Sequence, residues 1–237
     1  MPDRLADQLA LALPAASTRL PEGLRPMRPR PANEVPDGDH VFDVDWRGIR
    51  VLAHVEPDRI RLLTSRGRDL AAQCPQAAGA LLAAASAVAP AIIDGLLVEP
   101  GPGGRRAAEA GDGRADDGPP AILLAWDVLH LRGRPLLAVP LVQRRSRLLE
   151  ALPAAPGLLV LRPFEGDGRE FHAAARARGM LGVVAKRFDG PYLPGLRSGL
   201  WRRIPADPGE ARTVGAEVIS PRPAIVSLLR LPFDAPG

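Results

Sequence analysis

Phe42-Asp43-Val44-Asp45-Trp46-Arg47-Gly48-Ile49-Arg50 is the stretch from which the rest of the chain can be laid out. From Val41 to Trp46 apolar and polar side chains alternate, and from Ile49 to Val55 they alternate again. A period of two is that of a half-buried strand, and Gly48 marks the break between two of them. Working outward, Arg59 to Leu63 alternates as a third strand and Ser65-Arg66-Gly67-Arg68 supplies a turn. Leu70 to Ala89, rich in alanine and leucine, predicts a helix. Ala91 to Val98 predicts a buried strand pair with Asp94-Gly95 in the turn, because Asp-Gly is a strong hairpin signal.

Further along, Ala121 to Leu131 predicts a strand and Gly133-Arg134 a hairpin turn. Leu141 to Leu152 has helical spacing, Gly157 to Pro163 reads as a strand, and Gly168 to Arg178 as a helix stopped by Gly179. Leu181 to Phe188 is a strand, Asp189 to Ser198 a loop, and Trp201 to Ile204 a last short strand. The ends differ in character. Residues 1–20 read as a short helix with a poorly ordered start, and residues 21–38 as an extended arm of proline and arginine. Residues 99–120 read as a mobile insertion, having almost no large apolar side chain. Residues 206–237 read as a loosely held tail with one apolar patch, Ala224 to Leu231. The sum is an α+β domain over residues 21–205, built on antiparallel sheets and without regular strand–helix alternation. A GxxxxGK[ST] loop is absent, which excludes a P-loop nucleotide site.

At 237 residues the chain is long enough for a sizeable core, and 46% apolar with 24% charged residues fits a soluble globular protein. No apolar run reaches the roughly 18 residues of a membrane span. The apolar run Leu9 to Ala16 is short and follows Asp3 and Asp7, so neither export nor membrane attachment is expected. Cys74 is the only cysteine, which excludes an internal disulfide and a cysteine-cluster zinc site and suits a reducing cytoplasm. The four histidines are scattered, without metalloprotease spacing. The net charge is +4, and Lys186 is the only lysine among 31 basic residues. Arginine stays protonated, whereas lysine can lose its proton and attack. Any chemistry needing a side-chain amine therefore has one candidate.

Downstream of the opening stretch six segments follow in order: Thr64-Ser65-Arg66-Gly67-Arg68-Asp69, Asp94-Gly95-Leu96, Trp126-Asp127-Val128-Leu129-His130-Leu131, Leu181-Gly182-Val183-Val184-Ala185-Lys186-Arg187, Pro191 to Ser198, and Trp201-Arg202-Arg203-Ile204-Pro205. Together with Pro140-Leu141 and Arg144-Arg145, this string resembles the adenylation domain of ATP-dependent DNA ligases, in particular the bacterial ligases associated with end joining. The likeness runs from about Leu24 to Ile204. It implies an antiparallel-sheet, ATP-grasp-like nucleotidyltransferase fold. It also implies ATP and Mg²⁺ as cofactors, DNA as substrate, and DNA-repair or end-joining proteins as partners. In this family an OB-fold follows, and the roughly thirty residues after Pro205 are too few for that barrel.

The resemblance also locates departures. The family's first motif is Lys-x-Asp-Gly-x-Arg, its lysine attacking the α-phosphate of ATP to give a lysine–AMP adduct. Here Asp45 stands at the lysine position and Arg47 at the aspartate position, with Gly48 and Arg50 kept. Leu96 and Leu181 stand where the family has the glutamates assigned to metal and ribose contacts. Pro205 replaces a phosphate-contacting amine, and Arg203 keeps one such contact as a fixed cation. A carboxylate at position 45 is a weak nucleophile facing an anion, and two such charges about 4 Å apart repel by roughly 4 kcal/mol at an effective dielectric near 20. No metal-ligand set is intact.

The remaining motif residues carry open alternatives. Lys186 contacts nucleotide phosphates, or has become the nucleophile, or points to solvent from a strand end. Trp126 stacks on a base or fills the core. Arg50 and Arg66 line a basic cleft or pair at the surface. Three functions follow. One is an inactive ligase-like domain that binds nucleic acid, nucleotide or a repair partner, with the arm Leu20 to Pro31 contributing. Another is a working ligase or nucleotidyltransferase with a rebuilt site. The last is a structural protein with an empty cleft, docking through Ala224 to Leu231.

Overall fold

In a computed structural model, residues 19–98 and 121–207 are described. The expected N-terminal helix, the insertion 99–120 and nearly all of the tail lie outside them. The strands are β1 (Arg28–Pro31), β2 (His40–Val44), β3 (Ile49–Val55), β4 (Ile60–Thr64), β5 (Ala91–Val98), β6 (Ile122–Leu131), β7 (Arg134–Pro135), β8 (Leu158–Val160), β9 (Gly182–Arg187) and β10 (Arg197–Pro205). The helices are α1 (Pro75–Ala83), α2 (Ala85–Val88), α3 (Leu141–Ala151) and α4 (Gly168–Ala177). They form a four-stranded sheet, β1-β10-β9-β2, and a six-stranded sheet, β4-β3-β5-β6-β7 with β8 beside β6. All pairings are antiparallel except β1 with β10 and β6 with β8, so the α+β expectation holds.

Alternation along β3 explains the layering. Val51, Ala53 and Val55 face a core shared with α1, α2 and α3, where Leu81, Val88 and Leu148 are buried. Leu52 faces the other way, into a second cluster with Ile92, Leu129, Tyr192 and Trp201 that lies between the two sheets. On the far side of the four-stranded sheet, α4 packs Phe171 and Ala175 on Phe42, Val183, Ala185 and Ile204. Asp167 caps α4 by accepting hydrogen bonds from the backbone of Arg169 and Glu170. Residues 45–48 carry the chain from one sheet to the other. Gly48 is required there, since a Cβ would come within 2.3 Å of the Leu97 carbonyl oxygen.

Four expectations need correction. Ala91 to Val98 is one continuous strand, not a pair, and Asp94-Gly95 lies in its middle. The Asp94 carboxylate is held there by Arg50 and Tyr192, and Gly95 is small because β6 passes close by. The arm 21–38 contains a strand, β1, which sits at a sheet edge where proline is tolerated. The helix expected from Leu70 starts only at Pro75, a residue suited to the first helical turn, and breaks at Ala84. The last strand starts at Arg197, four residues earlier than expected, because β1 supplies partners for Arg197 and Ser198 ahead of the stretch paired with β9.

Candidate functional site

A cavity of about 220 Å³ opens between the two sheets. Register explains which side chains enter it. Lys186 on β9 lies opposite Val41 on β2 and Trp201 on β10, and Val184 lies opposite Asp43 and Arg203. With a period of two, Asp43, Lys186, Trp201 and Arg203 therefore share the face turned to the six-stranded sheet. From the facing sheet come Arg50, Leu96 and Trp126, and from the crossing segment Asp45 and Trp46.

Of the residues singled out from sequence, Asp45, Arg50, Leu96, Trp126, Lys186 and Arg203 meet at this cavity. Arg66 stands apart from it. The tight turn between Thr64 and Arg68, with Gly67 at φ +82°, presents Arg66 to solvent after β4. Leu181 is half-buried just before β9, its carbonyl accepting from the Ala206 backbone, and does not line the cavity.

Each cavity cation already has a carboxylate from the same chain. Lys186 Nζ lies 2.8 Å from Asp43 Oδ2, and the other Asp43 oxygen accepts from Arg145 Nη2 at 2.7 Å. Burial alone would raise the Asp43 carboxyl, but the Arg145 and Lys186 charges outweigh it and hold it well below the usual carboxylate range. Burial pushes the Lys186 ammonium down to about 8, against the pull of Asp43. Arg50 makes a two-pronged contact with the Asp94 carboxylate, which also accepts from Tyr192 Oη at 2.7 Å. Arg203 is ion-paired with Asp45. Burial raises the Asp45 carboxyl above its ordinary value, with Arg203 opposing.

The aromatic walls face these cations. The Arg50 guanidinium lies 4.4 Å from the centre of the Trp126 ring, and Lys186 Nζ 4.3 Å from that of Trp201. Both are cation–π distances. Trp126 is thus buried wall and cation partner together, and its indole nitrogen has no hydrogen-bond partner among the described residues. Asp43, Arg145, Asp94, Tyr192 and Trp201 were not singled out beforehand. For Asp43 a signal existed, since two residues before Asp45 on a strand means the same face.

Residues 29–204 match the ATP dependent DNA ligase domain family. The chain belongs to that family. Among relatives of this ligase domain, the multifunctional non-homologous end joining DNA repair protein LigD of Mycobacterium tuberculosis is 35% identical over 163 residues. That alignment covers 68% of this chain and 21% of LigD, so the chain spans about a fifth of its relative's length. The solved ligase domain of M. tuberculosis LigD superposes with a TM-score of 0.64 at 32% identity, covering 76% of this chain and 60% of that one. A mycobacterial DNA ligase D complexed with ATP and MES gives 0.65 at 31% identity, covering 77% and 60%. The ligase-domain nucleotidyltransferase fold expected from the motifs is therefore present.

The residues here do not fit the metal that the ligase fold implies. Divalent magnesium wants oxygen ligands, and Leu96 and Leu181 offer none at the motif positions. Among the described residues, no group of three or more His, Cys, Asp or Glu converges as a metal site. About 220 Å³ is below the roughly 300–1,000 Å³ usual for small-molecule pockets, and the cavity cations are already taken.

Proposed function

We propose that this chain is a ligase-type nucleotidyltransferase domain that has lost adenylyl transfer and acts in DNA repair by binding DNA. The observation that carries this reading is Asp45, which occupies the motif position of the attacking lysine and is ion-paired with Arg203. A carboxylate there cannot form the phosphoramide bond, and it neutralises the cation that the motif assigns to phosphate. The DNA-repair setting rests on likeness to LigD. The DNA-binding part rests on that family and on an arginine-rich composition, which suits phosphate contacts.

A second reading has one observation in its favour. Lys186 is the only lysine, faces the cavity, and loses its proton more readily than an ordinary amine. A site rebuilt around it would be an active nucleotidyltransferase.

Incubation with α-labelled ATP and Mg²⁺ or Mn²⁺, followed by denaturing electrophoresis, separates the two. The expected result is no label on the protein under conditions where a control ligase labels fully, together with DNA binding at low salt. Label retained by the wild type and lost in Lys186→Ala would overturn the inactive reading and establish the rebuilt site.

A further inference from the structure

At the edge of the four-stranded sheet, β1 and β10 run parallel, and their register sets arginine against arginine twice. Arg28 is opposite Arg197, and Arg30 is opposite Arg202. All four side chains are exposed. Like charges directly opposite in a sheet are destabilising. Some surface arginines are matched, Arg169 with Asp37, Arg176 with Asp207 and Arg187 with Asp189, and others, such as Arg59, Arg68 and Arg134, have no ion pair among the described residues but do not stand opposite another arginine. None of the four edge arginines has a carboxylate within 4 Å among the described residues. Their visible partners are neutral carbonyls, Gly195 for Arg28 and Pro29 for Arg197.

The direction in which the ladder faces matters. Pro29 lines the inter-sheet cavity, so Arg28 and Arg30, its neighbours along the strand, face the opposite side. Arg202 alternates in the same way with Trp201 and Arg203 and lines a separate open groove beside α4, where Asp37 and Asp189 are taken up by Arg169 and Arg187 and Glu34 is the remaining carboxylate. The ladder therefore belongs to the back of the sheet and not to the inter-sheet cavity. Four unmatched guanidiniums spread along two strands suit an extended polyanion, and each planar fork matches a phosphate. Trp201, the only aromatic residue of β1 and β10, is buried on the cavity side. Without an exposed aromatic platform the strip suits the backbone of a duplex, not the stacked bases of a single strand.

We infer that Arg28, Arg30, Arg197 and Arg202 form a phosphodiester-binding strip for duplex DNA on the face opposite the cavity. This rests on the DNA-binding reading above and gives it a surface. The test is binding of a short duplex by fluorescence anisotropy over a salt series. Three proteins are compared: wild type, the quadruple alanine variant of the strip, and a charge-matched control with Arg59, Arg68, Arg134 and Arg176 changed to alanine. The strip variant should bind at least tenfold more weakly. Its slope of log K against log salt should be shallower by about 0.9 for each phosphate that it no longer neutralises. The control should keep the wild-type slope to within about one phosphate. Arg30→Glu with Arg202→Glu provides a second, smaller perturbation with the same expected direction.

Wild-type affinity and slope retained in both strip variants would overturn the assignment while leaving DNA binding in place. No binding by the wild type even at low salt would overturn the DNA-binding reading itself. Strip-dependent binding to anionic vesicles without binding to DNA would reassign the strip to a lipid surface.

Discussion

The ammonium of Lys186 lies 2.8 Å from the carboxylate of Asp43, and neither side chain is more than 6% exposed. Two residues along, Asp45 holds Arg203, whose side chain is 43% exposed. Both carboxylates are ion-paired at the cavity, but the cation on Asp43 is buried and the cation on Asp45 reaches water. Removing one partner of a buried pair strands a charge, at a cost of about 3–5 kcal/mol, whereas exposed pairs contribute about 0–1 kcal/mol. Asp43→Asn should therefore destabilise by about 3–5 kcal/mol and Asp45→Asn by less, because one partner of that pair is withdrawn from water and the other is not. Urea denaturation at neutral pH measures both, and equal losses would contradict the burial argument.

Lys186 should leave a mark on the alkaline side. Its folded-state value is about 8, against 10.5 for an ordinary lysine. Between these values the unfolded chain binds the extra proton, so stability rises with pH. Tyr192, whose hydroxyl burial pushes well above its ordinary value of 10, acts in the opposite sense from there upward. Stability measured by urea denaturation should rise between about pH 8 and 10, and Lys186→Met should remove that rise. An unchanged slope in the variant would count against a depressed lysine.

His54 governs part of the acid side. Burial first, then the Arg61 and His130 charges, lower it from 6.5 to about 4. The folded protein keeps it neutral while the unfolded chain protonates it, so stability is lost as pH falls from 6.5 to 4. His54→Phe should flatten this loss in part, since His40 and His130 are also lowered and remain. Neither ring nitrogen of His54 has a hydrogen-bond partner among the described residues, so phenylalanine forfeits no such bond there. Thermal melts at pH 7 and pH 5 would show a smaller difference for the variant than for the wild type.

Gly95 tests the corrected reading of β5. A Cβ at this position would lie 2.5 Å from the Leu124 carbonyl oxygen and 3.3 Å from the Ala125 Cα, both backbone atoms of β6. Backbone atoms of a paired strand cannot step aside cheaply. Gly95→Ala should cost about 1–3 kcal/mol, the usual penalty for overpacking. Gly79→Ala, with open space around it on α1, should cost nothing and could stabilise slightly. Equal effects at the two positions would argue against the close approach of β5 and β6.

The contrast between Ile49–Val55 and Ala91–Val98 shows what local pattern can carry. In the first, apolar and polar side chains alternate, and the strand has the predicted bounds. The second is buried along its whole length, so alternation is lost and the Asp-Gly pair reads as a turn. What holds Asp94 inside a sheet is Arg50, 44 positions earlier, and Tyr192, 98 positions later. No window around Asp94 contains them. At the site, the motif residues lead to Asp45, Lys186 and Arg203, and strand register then adds Asp43. Arg145 belongs to a motif segment as well, but its role as the second clamp on Asp43 depends on how α3 packs, which is a tertiary fact.

The Asp45–Arg203 pair has a further consequence for ligand binding. Asp45 is a tethered competitor: it cannot diffuse away from the guanidinium that an arriving phosphate would need. Tethering gives such a group an effective concentration in the millimolar range or above. A phosphate compound must displace Asp45 before it can use that guanidinium, so its apparent affinity there is lowered by the competition. Dilution and dialysis leave the competitor in place, whereas protonation or replacement of Asp45 removes it.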